Sequence, residues 1–255
     1  MTDEQLLRYS RHLLLNELGV AAQERFLAAH VLVIGAGGLG CAAALYLGSA
    51  GVGQITLVDH DVVDLTNLQR QIAHTLARVG QPKVDSARAA IGAINPDVRV
   101  HALQTRADAA WLDAWLPQVD LVLDCCDNFA TRHAINAACV RHARALVSGA
   151  AIRFDGQVAV YDSANAASPC YACLFPPDAA VEETQCATMG VFAPLVGIIG
   201  AMQAGEALKW LADAGAPLIG RLLLLDARSM DCHTLRIPRN PHCTVCGERA
   251  GARGG

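Results

Sequence analysis

Gly35-Ala36-Gly37-Gly38-Leu39-Gly40 stands directly after the β-branched run Val31–Ile34 and opens an apolar stretch with helix-forming composition. Glycines in such a strand-to-helix turn let the backbone approach phosphate oxygens at the positive end of a helix. The next apolar run, Ile55–Val58, ends at Asp59, 19 residues after Gly40. A carboxylate there takes ribose hydroxyls. Gly35, Gly37, Gly38, Gly40 and Asp59 are therefore candidate nucleotide-binding residues, the plainer reading of the glycines being a turn that needs them only for packing. An NAD ribose and an ATP ribose look alike to Asp59, so the fingerprint leaves the nucleotide open, although taken alone it favours NAD.

The runs Val31–Ile34, Ile55–Val58, Val98–Leu103 and Leu121–Asp124 alternate with Ala- and Leu-rich stretches, the pattern of βαβ crossovers in a parallel sheet. Ala145–Ala150, Gln157–Tyr161, Arg221–Asp226 and Thr234–Ile237 read as further strands, with a hairpin turn at Phe154-Asp155-Gly156-Gln157. The fold class is α/β: a Rossmann-like nucleotide-binding fold, mostly parallel in its first half and mixed or antiparallel in its second, in one sheet. Residues 1–247 read as a single domain and 248–255 as a flexible Gly- and Arg-rich tail.

Hydrophobic residues make up 53% and charged residues 17%, which excludes a disordered chain. The net charge of −4 argues against nucleic acid as a partner. Two uncharged stretches have membrane-spanning length: 33 residues at Phe26–Val58 and 22 at Thr184–Gly205. The first holds seven glycines and the second four glycines and Pro194, so buried α/β segments fit better than membrane spans. The amino terminus lacks a secretory pattern, and the expectation is a cytoplasmic protein with reduced thiols.

Beyond Asp59, Thr66-Asn67-Leu68-Gln69-Arg70-Gln71 and Gln81-Pro82-Lys83 place two cations in polar segments, where a triphosphate needs neutralisation. Asp127-Asn128 follows the strand Leu121–Asp124, at the carboxyl end of the sheet where open α/β folds keep their ligands. A carboxylate there suits magnesium bound to phosphates. The plainer readings are solvated charges for Arg70 and Lys83 and a helix cap for Asp127.

With these segments, RYSRH at Arg8–His12, GQPKV at Gly80–Val84 and DCCDN at Asp124–Asn128 complete a set that resembles the MoeB/ThiF adenylyltransferases, bacterial relatives of ubiquitin-activating enzymes. The resemblance runs from about Glu4 to Gly247. It implies an enzyme that uses ATP to adenylate the C-terminal glycine of a ubiquitin-like sulfur carrier, releasing pyrophosphate before a sulfur donor makes a thiocarboxylate. The carrier would be a Gly-Gly-ending protein of molybdopterin-synthase or thiamin type. The resemblance also implies ATP contacts at Gly38, Asp59, Thr66, Asn67, Leu68, Gln69, Arg70, Lys83, Asp127 and Asn128. Asp59 would bind ribose, Arg70 and Lys83 phosphates, and Asp127 magnesium. Arg11 would act in trans within a homodimer. Adenylation of another peptide carboxylate, NAD-dependent oxidation and a zinc-stabilised nucleotide-binding scaffold are the alternative functions.

Cys170-Tyr-Ala-Cys173 and Cys243-Thr-Val-Cys246 are two CxxC pairs in Pro-containing turns. Four thiolates form a closed tetrahedral set for structural zinc, and a redox-active CxxC is the competing reading. The family pattern, which has both pairs, points to zinc. Cys186 lies between an acidic stretch and an apolar helix, where a thiol near a helix start has a lowered pKa. Some family members carry there a cysteine that links covalently to carrier or donor, although Ala187-Thr188-Met189-Gly190 departs from the usual pattern; a bland loop thiol is the alternative. Cys41, Cys125, Cys126 and Cys139 read as small packed hydrophobes.

Overall fold

In the computed structural model, which describes residues 1–177 and 189–247, helices α1 (Asp3–Arg8), α2 (Ser10–Leu13) and α3 (Gly19–Ala28) lead into strand β1 (His30–Ile34). Alternating elements follow: α4 (Gly38–Ala50), β2 (Gln54–Val58), α5 (Lys83–Ile94), β3 (Arg99–Leu103), α6 (Ala109–Trp115), β4 (Leu121–Asp124) and α7 (Phe129–Arg141). The remainder comprises β5 (Ala145–Ile152), β6 (Asp155–Tyr161), α8 (Tyr171–Leu174), α9 (Ala193–Ala212), β7 (Arg221–Asp226) and β8 (Asp231–Arg236).

All eight strands form one sheet in the order β3-β2-β1-β4-β5-β6-β7-β8. The pairs from β3 to β5 are parallel, and those from β5 to β8 antiparallel. The parallel-then-antiparallel reading of the sequence describes this sheet. Strands β1 and β4 carry apolar side chains buried on both faces, as a parallel sheet covered by helices requires. One face packs against α4, α5 and α9, with Leu47, Ile91 and Ile199 fully buried or nearly so, and the other against α6, α7 and α8, with Leu112, Ile135 and Tyr171.

The two uncharged stretches are interior. The first builds β1, α4 and β2, and the described part of the second leads into α9, which packs along α4 and across the sheet. No described helix is long and apolar enough to cross a membrane.

The hairpin departs from the sequence reading. Strand β5 runs on to Ile152 and β6 starts at Asp155, leaving Arg153 and Phe154 as the turn, with Arg153 at φ +52°. Gly156 is not a turn residue: it pairs with Ala151, and a Cβ there would come within 2.6 Å of Ile199 Cδ1. The glycine is required by the close approach of α9. Strand β8 also begins earlier than Thr234, because Asp231 already pairs with Asp226.

The chain reverses its order of strand addition between β1 and β4, which lie side by side. The loops that follow them diverge there, and that crevice is where α/β sheets of this kind hold ligands.

Candidate nucleotide site and cysteine cluster

The loop after β1 is bonded to the end of β2, and the loop after β4 to the end of β1. Gly35 N–H donates to Val58 O at 2.8 Å, and Cys125 N–H to Ile34 O at 2.9 Å. Gly35 sits at φ +97°, and a Cβ on it would lie 2.7 Å from Cys125 O, so only glycine makes this turn. A Cβ on Gly40 would collide with the Gly35 carbonyl. Gly35, Gly37 and Gly38 line a cavity of about 890 Å³, whereas Gly40 does not reach it and serves the packing of the turn.

Asp59, at the end of β2, lines the same cavity. Its Oδ2 accepts from Ala36 N–H at 2.7 Å and its Oδ1 from Asp61 N–H at 2.9 Å, so the carboxylate also fixes the glycine loop. Lys83 opens α5, is buried, and reaches Asp61 Oδ2 at 2.8 Å. Burial opposes ionisation of Asp61, but the Lys83 ammonium outweighs it and holds the carboxyl below its ordinary range. The sequence reading missed Asp61, whose role depends on a lysine 22 residues away.

Of the Thr66–Arg70 segment only Arg70 lines the cavity, joined by Gln71. Thr66 and Asn67 belong to a 3₁₀ turn, Leu65–Asn67, capped by Asp64, whose Oδ1 accepts from Thr66 N–H at 2.8 Å. Arg70 Nη1 donates to Thr66 O at 3.1 Å. Thr66 thus supports Arg70, while Thr66, Asn67, Leu68 and Gln69 lie outside the cavity wall.

Asp127 and Asn128 line the same cavity. Asn128 caps α7 by accepting from Thr131 N–H at 2.9 Å, and exposed Asp127 has no hydrogen-bond or ion-pair partner among the described residues. Beneath this loop lies a buried ion pair. Arg132 Nη1 meets Asp124 Oδ2 at 2.8 Å, and Arg132 Nη2 donates to Cys126 O. Asp124 also accepts from Ser148 Oγ at 2.8 Å, Cys126 N at 3.1 Å and Cys126 Sγ at 2.7 Å. Burial opposes the charge of Arg132, and Asp124 outweighs it, so the guanidinium pKa is raised. Cys41, Cys125 and Cys139 are buried as expected of packed thiols, and burial pushes Cys41 up to about 12. Cys126 departs from that reading: it is half-buried, lines the cavity and bonds Asp124.

Arg11, on α2, is exposed and lies outside this cavity wall. Cys186 and the tail 248–255 lie outside the described residues.

The four CxxC cysteines converge although 69 residues separate the pairs. Cys170 Sγ and Cys243 Sγ are 3.7 Å apart, and Cys173 Sγ and Cys246 Sγ 3.5 Å. A disulfide needs about 2.05 Å, whereas sulfurs at 2.3 Å from one tetrahedral zinc stand about 3.8 Å from each other. Cys173 Sγ accepts backbone N–H bonds from Cys170 and Asn240, each at 3.4 Å. The Cys170 thiol's hydrogen bond, with these N–H groups, holds the Cys173 thiol well below its ordinary range. The donor set fits zinc, which would tie the segment around Cys243 to α8.

Fold and site together define a nucleotide-binding α/β protein with its cations gathered near the glycine loop. A model of the ThiF family matches residues 9–245, and the chain belongs to that family. A molybdopterin-synthase adenylyltransferase of Escherichia coli (strain K12) is 45% identical over 251 residues, 97% of this chain and 99% of that one. A SAMP-activating enzyme E1 of Haloferax volcanii is 44% identical over 246 residues, 96% of this chain and 90% of that one. Among solved structures, Escherichia coli MccB with ATP matches with a TM-score of 0.79 at 23% identity, over 89% of this chain and 70% of that one, a likeness of fold. The chain is an adenylyltransferase.

Proposed function

We propose that the protein uses ATP to adenylate the C-terminal glycine of a ubiquitin-like sulfur carrier ending in Gly-Gly, releasing pyrophosphate and readying the carrier for thiocarboxylate formation. The observation that carries this reading is the extent of the cavity. It continues from the glycine loop to the β5–β6 hairpin, where Ala150, Ala151 and Gly156 are small residues in its lining and leave space for an unbranched glycine tail. The near-full-length relatives named for adenylyl transfer to molybdopterin synthase and for SAMP activation support it.

The attacking carboxylate is ionised at neutral pH and needs no general base. One of its oxygens bonds to the α-phosphorus while the bond to pyrophosphate breaks and its electron pair leaves with pyrophosphate. Asp59 would hold the ribose, and Lys83 and Arg70 would stabilise the charge that builds on the phosphates. Magnesium would be held by the exposed Asp127 carboxylate and would supply charge neutralisation. Arg11 of a second protomer would complete the site within a homodimer, and Cys186 would serve sulfur transfer from a donor protein rather than adenylation. Zinc would be held by Cys170, Cys173, Cys243 and Cys246 as a structural ion. A single domain over residues 1–247, working in the cytoplasm, accommodates all of these roles.

The direct test is label transfer. With ATP labelled at its α-phosphate and magnesium, a Gly-Gly-ending carrier should acquire AMP and release one pyrophosphate, while the same carrier lacking its last glycine should acquire none. Equal labelling of both, or of neither by folded protein across molybdopterin-type and thiamin-type carriers, would reject the reading.

A further inference from the structure

Gln71 follows Arg70 into the cavity wall and is not accounted for by the roles above. Its side chain is only 4% exposed, yet Oε1 has no hydrogen-bond partner among the described residues. Its Nε2 stands 3.7 Å from where a Cβ on Gly37 would be, beside the residue that caps α4. A buried polar atom without a partner costs stability, whereas an unbranched apolar side chain would fill the same space without that cost. The carboxamide is thus kept at this wall against the interest of the empty fold. The positive end of α4 and Arg70 favour an anion in the same cavity, together with Lys83, whose charge is shared with Asp61.

We propose that Gln71 contacts the nucleotide's phosphate chain. Nε2 donates to a phosphate oxygen bound at the start of α4, and a water from the phosphates' hydration shell donates to Oε1, the atom that lacks a partner. The ligand, ATP, follows from the adenylation reading, on which this inference rests.

Titration of the full-length protein with ATP and with adenosine, in magnesium and without carrier, tests it. A hydrogen bond to a charged group predicts that Gln71→Met binds ATP about tenfold or more weakly, while adenosine affinity stays within about twofold. Gln71→Glu keeps the shape but turns a carboxylate toward the phosphates, and should bind ATP more weakly than Gln71→Met. Without nucleotide, Gln71→Met should melt no lower than wild type, a result a packing role would not give. ATP affinity within about twofold of wild type in both variants, parallel losses for ATP and adenosine, or failure of both variants to fold would each overturn the proposal. Wild-type protein that binds ATP yet adenylates no carrier would reject the substrate reading while the Gln71 test stands; wild-type protein that binds no ATP would reject both.

Discussion

Replacing Arg132 by methionine removes the only charged partner that Asp124, 1% exposed, has among the described residues. Truncating one member of a buried ion pair costs about 3–5 kcal/mol, because the other charge is left in the interior. Asp124 keeps three donors, Ser148 Oγ, Cys126 N and Cys126 Sγ, so the loss belongs at the lower end. About 3 kcal/mol corresponds to roughly a 150-fold fall in the folded-to-unfolded ratio. Urea unfolding followed by circular dichroism reads it directly. The double variant Asp124→Asn/Arg132→Met should lose about 1–3 kcal/mol less than the sum of the single variants, since neither charge is then stranded. Arg132 also holds the Cys126 carbonyl, next to Asp127, so the magnesium concentration for half-maximal ATP–pyrophosphate exchange should rise in Arg132→Met. A loss below about 1 kcal/mol, strict additivity in the double variant, and an unchanged magnesium requirement would together refute the view that this pair fixes the Asp127 loop.

Three further outcomes follow from the same geometry. Chelation of the four-cysteine site should lower the melting temperature and metal analysis should find one zinc per chain, because binding to the folded state is linked to folding; zinc-free protein with unchanged melting would favour the redox reading. His74 is buried, and because Ala36 O only accepts, its Nε2 must carry the proton while Nδ1 accepts from Ser86 Oγ. Burial lowers its pKa, so the stability it contributes is present above the ordinary histidine pKa of about 6.5 and is lost as pH falls through the lowered value; His74→Gln should flatten that acid-side slope in urea midpoints measured across pH. Mixing inactive Arg11→Ala and Asp127→Ala protomers should restore partial exchange activity, because one hybrid site carries both intact groups, and mixtures as inactive as either parent would place Arg11 outside the neighbouring site.

The parallel sheet was legible because β1, β2 and β4 are short apolar runs and the glycine loop follows the first of them directly. The cysteine cluster was legible as two local pairs, but their meeting across 69 residues depends on the antiparallel half, which carries no local signal of distance. The hairpin was misplaced because Gly156 resembles a turn residue, and only the packing of Ile199 on α9 shows that it is a strand position. Asp124, Arg132 and Asp61 were missed for a related reason. An isolated Asp at a strand end or Arg in a helix looks solvated until the fold supplies its partner, and here the partners come from another element or a distant loop. Gln71 was visible within a polar segment, yet its burial beside Gly37 is a property of the folded loop.

Carrier-dependent ATP–pyrophosphate exchange tests the central claim most directly. With magnesium and a panel of Gly-Gly-ending carriers, the wild-type protein should exchange with at least one carrier and not without it. Lys83→Ala and Arg70→Ala should each lower the rate about tenfold or more, the loss of a charge-assisted phosphate contact, while remaining folded. Exchange that needs no carrier, or rates in both variants within about twofold of wild type when each contact should be worth tenfold, would contradict the account.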